Sequence, residues 1–243
     1  MTSARLAPFP EDWTRALAVV AHPDDLEYGA ASAIARWTSE GREIAYLLAT
    51  RGEAGIDGMD PVETAKVRAE EERTSAARVG VDTVEFLDGH RDGVIEYGLP
   101  LRRDLAAAFR RHRPEVVVSV NHRDTWPGGW LNMADHRNVG QAILDAARDA
   151  GNRWVFTELL DDGLEPWSGV HRVALNASPE PMHAVDVTGF LDRGIASLAE
   201  HRAYLAGLGD GDTDPDAQLC GAAEAAGERF GVEHAVEFEV VQL

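Results

Sequence analysis

The stretch Ala16–Ala21 (ALAVVA) constrains this chain more than any other: it is an unbroken apolar run that ends directly on His22-Pro23-Asp24-Asp25. So short a run, with no alternating polar face, reads as a strand buried on both faces of a parallel sheet. Strands are expected again at Glu43–Thr50, Thr83–Leu87, Glu115–Val120 and Trp154–Leu159. Helical patterns fill the intervals. They run from about Tyr28 to Glu40, over Pro61–Val79 with Gly80 behind it, over Leu101–His112, and over His136–Ala150. This alternation predicts an α/β fold with a doubly wound, mostly parallel sheet.

After Leu160 the rhythm changes. Arg172–Ala177 and Ala184–Val187 read as short strands, and Phe190–Leu208 as one helix. Gly209–Pro215 reads as an acidic loop, and Ala217–Leu243 as a helix followed by an edge strand. A single domain is expected over 1–243, with a Rossmann-like core over 1–160 and a C-terminal cap of extra strands and helices over 161–243.

Composition narrows the partners. With 42 acidic against 23 basic residues the net charge is -19, which disfavours nucleic acid and anionic membrane, since both require a basic surface. Cys220 is the single cysteine, so no internal disulfide can form. The N-terminal MTSARLAPFPEDW lacks the apolar core of a signal peptide, and no run approaches the roughly 18 apolar residues of a spanning helix. A cytoplasmic protein is expected.

In a doubly wound sheet, ligands bind beyond the carboxyl ends of the strands. His22–Asp25, Asp88–Asp92 and Asn121–His136 fall there. Carboxylates at the end of a buried strand are costly unless something neutralises them, and a cation would. Asp24 or Asp25 would serve equally as the N-cap of the following helix. His136, at the start of a helix behind Pro127-Gly128-Gly129, reads alone as a capping histidine or as a ligand. No G-x-G-x-x-G or P-loop follows the first strand, which argues against a nucleotide-binding domain.

Taken together these stretches resemble the LmbE/PIG-L family of zinc-dependent N-deacetylases. His22-Pro23-Asp24-Asp25 is similar to that family's first signature and Asp135-His136-Arg137-Asn138-Val139-Gly140 to its second. The resemblance runs from about Leu17 to Gly140. It takes in Thr50-Arg51-Gly52-Glu53-Ala54-Gly55, Arg68 with Glu71, and Leu87-Asp88 with Arg91-Asp92-Gly93. It implies that His22, Asp25 and His136 ligate zinc or another divalent transition metal, and that Asp24 is the general base. It further implies that Arg68 and Asp92 hold the substrate, and that Arg51 and Glu53 shape the pocket. The implied activity removes an N-acetyl or other N-acyl group from an amino sugar or related small molecule. Self-association is also expected. The alternatives are an amidase acting on a larger thiol conjugate and a non-catalytic metal- or sugar-binding member of the same fold.

The chain departs from that family at two places. Its second motif usually reads His-Pro-Asp-His, but here Met133 and Ala134 stand at the first two positions. A thioether can donate neither a hydrogen bond nor a proton, so His122 and His201 become the candidates for that role. The family's glycine pair after the first motif is replaced by Ala30-Ala31-Ser32-Ala33. Trp126 and Trp130, flanking the glycine-rich loop, are either sugar-stacking or packing residues.

Overall fold

The computed structural model describes residues 5–208 and 214–243. Its elements, in chain order, are β1 (Ala7–Pro8), β2 (Arg15–Val20), α1 (Ala31–Ser39), β3 (Glu43–Leu48), α2 (Pro61–Arg78), β4 (Val84–Phe86), α3 (Leu99–His112) and β5 (Val116–Val120). There follow α4 (Ala134–Gly151), α5 (Glu158–Asp161), β6 (Arg172–Asn176), β7 (His183–Asp186), α6 (Leu191–Leu198), α7 (Arg202–Gly207), α8 (Pro215–Phe230) and β8 (Ala235–Gln242). All eight strands form one sheet in the order β1-β7-β8-β6-β5-β2-β3-β4. Only β8 is antiparallel to its neighbours.

The apolar run behaves as its composition demands. Ala16, Ala18 and Val20 enter one core cluster with Ile34 and Trp37 of α1, while Leu17 and Val19 enter the other with Leu105 and Phe109 of α3. Burial on both faces is why no polar residue interrupts the strand. β2 pairs with β3 on one side and β5 on the other, so the sheet's switch point lies at the carboxyl ends of β2 and β5.

From Trp154 onward the structure differs from expectation in three ways. Residues 154–157 form turns, not a strand, and the place beside β5 belongs to β6. The Arg110 guanidinium binds the Asn152 and Val155 carbonyls at 2.9 Å each, which fixes the turn in place of a ladder. The helix expected over Phe190–Leu208 is two helices, α6 and α7, broken at the buried His201. β8 is an interior strand between β7 and β6, not an edge, and with β6 and β7 it extends the main sheet as well as capping it. Of the expected acidic loop, residues 209–213 lie outside the described residues. Among the described residues no helix is long and apolar enough to cross a membrane.

Phe238 anchors β8 to the core. It is fully buried, with its ring centroid 5.9 Å from Trp37 and 5.5 Å from Phe9. Phe238→Ala should cost about 3–5 kcal/mol, read from urea unfolding. A loss under about 1 kcal/mol would mean that β8 is not held by this cluster.

Candidate active site

A cavity of about 670 Å³ opens at the switch point, with His22, Asp24, Asp25, Arg68, Asp92 and His136 in its wall. His136 Nε2 lies 2.9 Å from Asp25 Oδ1, and His22 Nδ1 lies 3.6 Å from Asp25 Oδ2. One donor atom from each of the three falls within 4.8 Å of the others. The far side of each imidazole is already engaged. His22 Nε2 meets Asp135 Oδ2 and Asp92 Oδ1, each at 3.1 Å. His136 Nδ1 meets Asn132 Oδ1 at 3.0 Å. With Nε2–H donated to the carboxylates, Nδ1 is the His22 nitrogen left for a ligand; with Nδ1–H donated to Asn132, Nε2 is the one left on His136. A polar group behind each imidazole is what orients metal-binding histidines. Two imidazoles, one carboxylate and an open cavity side fit a divalent cation of zinc type.

Charge balance agrees. Burial works against a charged His22, yet Asp25 beside it and hydrogen bonds to Asp135, Asp25 and Asp92 raise its pKa well above that of an ordinary imidazole. Burial also pushes Asp25 up, but the His136 and His22 rings hold it well below the usual carboxylate range. Without metal the cluster therefore holds protons that a cation would displace.

Asp24 is aimed differently. Its φ of 83° is left-handed, a strained position for a non-glycine residue. Two residues one turn apart on α2 hold it there. Arg68 Nη2 donates to Asp24 Oδ2 at 2.7 Å and to the Pro23 carbonyl at 2.6 Å, while Glu72 Oε2 accepts from the Asp24 amide at 3.2 Å. The Arg68 guanidinium fits only because Gly52 and Gly55 have no side chains: a Cβ at either would lie 2.2 Å from its Nη1. Tyr204 covers its other face, 4.2 Å from ring centroid to guanidinium carbon.

Burial, countered by Arg68 and reinforced by Asp25, lifts the Asp24 pKa from 3.8 to about 7. A folded-state pKa above the unfolded value means that proton binding favours the fold. That contribution is complete below about pH 4 and is lost as pH rises through about 7. Between those limits the metal-free protein should lose stability relative to metal-free Asp24→Asn, by up to about 4 kcal/mol, in urea unfolding across pH. Parallel pH profiles for the two proteins would refute the assignment.

The structure gathers His22, Asp24, Asp25, Arg68, Asp92 and His136 around one cavity, and leaves Arg51, Glu53, His122 and His201 outside its wall. Arg51 pairs with Asp88 at 3.0 Å, and Glu53 Oε1 accepts from the Asp92 amide at 3.0 Å, so both act on the loop behind the wall. His122 packs against Gly140 of α4, where a Cβ would lie 2.3 Å from its own. His201 is fully buried behind Asp24, its Nε2 3.7 Å from both Glu27 Oε2 and Glu72 Oε2. Neither histidine is placed to replace the donor absent at Met133. Arg68 also differs from expectation, since its hydrogen bonds go to Asp24 and backbone carbonyls. Trp126, Trp130 and Met133 do line the cavity.

Sequence reasoning passed over Asp135, Asn132, Glu72, Tyr28 and Tyr204. Asp135, buried and accepting from the Gly93 and Ile95 amides at 2.7 and 3.1 Å, stood beside His136 in the quoted motif. Asn132 lies four residues before His136, a spacing that could have suggested the pair. Nothing local marks Tyr204, which reaches the cavity only through α7.

Fold and site define an open α/β protein with a His–Asp–His cluster able to hold a cation, flanked by a second buried carboxylate, at its topological switch point. Residues 17–147 match the family model described as PIG-L: GlcNAc-PI de-N-acetylase, and the chain belongs to this family. It is 29% identical to a diacetylchitobiose deacetylase of Thermococcus kodakarensis, over 82% of this chain and 72% of that one. It is 32% identical to a 1D-myo-inositol 2-acetamido-2-deoxy-alpha-D-glucopyranoside deacetylase of Kineococcus radiotolerans, over 54% of this chain but only 44% of that one. Among solved structures, N,N'-diacetylchitobiose deacetylase from Pyrococcus horikoshii superposes with a TM-score of 0.84 at 24% identity, covering 96% of this chain and 85% of that one, a likeness of fold.

Proposed function

We propose that this chain is a zinc-dependent hydrolase that removes the N-acetyl group of an amino sugar or a related small N-acylated molecule. The observation that carries the proposal is the convergence of His22, Asp25 and His136 on one point of a cavity into which Asp24 is also aimed. Membership of a family described by de-N-acetylation, and two deacetylases among its relatives, support the reaction class. The donor set suits zinc, and iron, cobalt or nickel would also fit.

A cation held by these residues would supply a Lewis acid and lower the pKa of a bound water toward about 7. Asp24 takes the proton from the attacking water and returns it to the departing amine. Burial raises that carboxyl in the metal-free protein and a neighbouring cation would lower it again, so near neutrality it is deprotonated and free to accept the proton. Arg68 and Glu72 keep that carboxyl on target, and Asp135 and Asn132 keep the imidazoles turned inward. Met133 cannot donate a proton. The phenols of Tyr28 and Tyr204 are hydroxyl donors in the same wall, and the Trp126 and Trp130 faces offer stacking surfaces for a sugar ring.

We further read the chain as one hydrolase unit in a cytoplasmic setting, its self-association to be tested by light scattering. The rival reading, a non-catalytic binder, draws on Met133. A panel of N-acetylglucosamine, N,N'-diacetylchitobiose and an N-acylated thiol conjugate separates the two. Equal release of carboxylic acid and free amine, abolished by a chelator and restored by zinc, is expected for at least one substrate. Tight zinc and sugar binding with no release from any would establish the binder.

A further inference from the structure

A second cavity lies beside the one that holds His22, Asp25 and His136. It has a volume of about 430 Å³ and shares Tyr28, Trp126, Asn176, Ala177 and Gln218 with the first, so the two adjoin along that wall, and the second has the outline of a trough beside the first. Its outer wall comes from α6, α8 and β8, all outside the stretch matched by the family model. Most of that wall is apolar and short-chained: Leu191, Leu219, Ala223, Ala226 and Val236 are buried there, the alanines leave room that larger side chains would fill, and Gln218, Arg229 and Glu237 are its polar members. Its two ionic residues, Arg229 and Glu237, are paired with each other, so this end carries no net charge for a ligand to answer. The mouth of the first cavity is apolar as well. Trp130 and Met133 in its wall are 77% and 43% exposed, and Leu131 between them is 74% exposed. Large apolar side chains grouped at a cavity rim mark an interaction site.

A bare acetylated sugar has hydroxyls around its whole edge and would find few partners in such a trough, and the first cavity alone is large enough for a small ligand. We propose that the trough is a second subsite, which takes an extended, uncharged apolar substituent of the same substrate whose amide is cut at the metal centre. This rests on the deacylase reading above. The substituent is either a long acyl chain or an alkyl or aryl group on the amine-bearing moiety. The trough's chemistry is the same for both, and the wall it shares with the cavity of His22, Asp25 and His136 is what assigns it to substrate.

Two substrate series test this on the zinc-loaded full chain. One is N-acylglucosamines from acetyl to octanoyl; the other is N-acetylglucosaminides from methyl to octyl, both followed by free-amine release. Burying one methylene is worth up to about fourfold. In one series kcat/KM should rise at least roughly tenfold from the shortest to the longest member. Ala222→Phe and Ala225→Phe, on the exposed side of α8, narrow the trough and should bring that ratio toward one, with zinc stoichiometry and thermal midpoint unchanged. Flat series, or a ratio unaltered in both variants, would overturn the subsite. So would flat series together with a dimer in light scattering, which would assign the trough to a second copy of the chain. If no member is turned over, the deacylase reading fails for simple glucosamine derivatives, and the trough is judged apart from it. Calorimetric binding of octyl against methyl N-acetylglucosaminide, in wild type and Ala222→Phe, then decides the trough: tenfold tighter octyl binding lost in the variant supports it, and equal binding overturns it.

Discussion

Replacing Asp24 with asparagine should lower kcat by roughly 10²–10⁴-fold while zinc binding stays at one ion per chain. Asparagine keeps the shape of the side chain and its contact with Arg68, but cannot take a proton. Arg68 stays anchored by the Pro23 and Gly52 carbonyls at 2.6 and 3.1 Å, so the local structure should persist. The pH profile adds a sign. The base works only when deprotonated, so wild-type turnover should fall as pH drops through the Asp24 pKa, about 7 without metal and lower beside a cation. That acid limb should be missing from the residual activity of the variant. Steady-state kinetics alongside metal analysis checks both points. A drop below tenfold would remove Asp24 from proton transfer.

Replacing His136 with alanine should abolish turnover and weaken zinc binding by more than about 100-fold. Substituting an outer partner of a ligand typically costs about 10–100-fold, and loss of the ligand itself should exceed that. Asn132→Ala therefore makes the graded comparison. It leaves the imidazole in place but frees it from the contact at 3.0 Å that holds Nε2 toward Asp25. Competition against a chromophoric chelator should order zinc affinity as wild type, Asn132→Ala, His136→Ala. Equal affinity for wild type and His136→Ala would show that the ion sits elsewhere, with His22, Asp92 and Asp135 as the adjacent donor set.

What could be read in advance followed from local rules. The ALAVVA run had to be a doubly buried strand, and a strand ending on His22 and two carboxylates had to place them at a rim where ligands bind. His136 was legible because a helix start after β5 reaches the same rim. The features that escaped depend on distant partners. The strand expected over Trp154–Leu159 has strand-like composition, but the Arg110 guanidinium of α3 claims the Val155 carbonyl within it and the Asn152 carbonyl just before it. His201 looked available as a catalytic donor. It is instead sealed among Glu27 and Glu72, a cluster assembled from the first loop, α2 and the break between α6 and α7. Arg68 was recognisable as important, but its task was not. Whether an arginine in a long helix faces substrate or a strained aspartate depends on Gly52 and Gly55 making room for it.

In the proposed function, two imidazoles and one carboxylate share a single cation on which hydrolysis depends. Titrating zinc into metal-free protein while following amine release tests it most directly. Activity should rise linearly from zero and stop at one equivalent per chain. Full activity before any zinc is added, or a plateau bearing no relation to the equivalents bound, would contradict it.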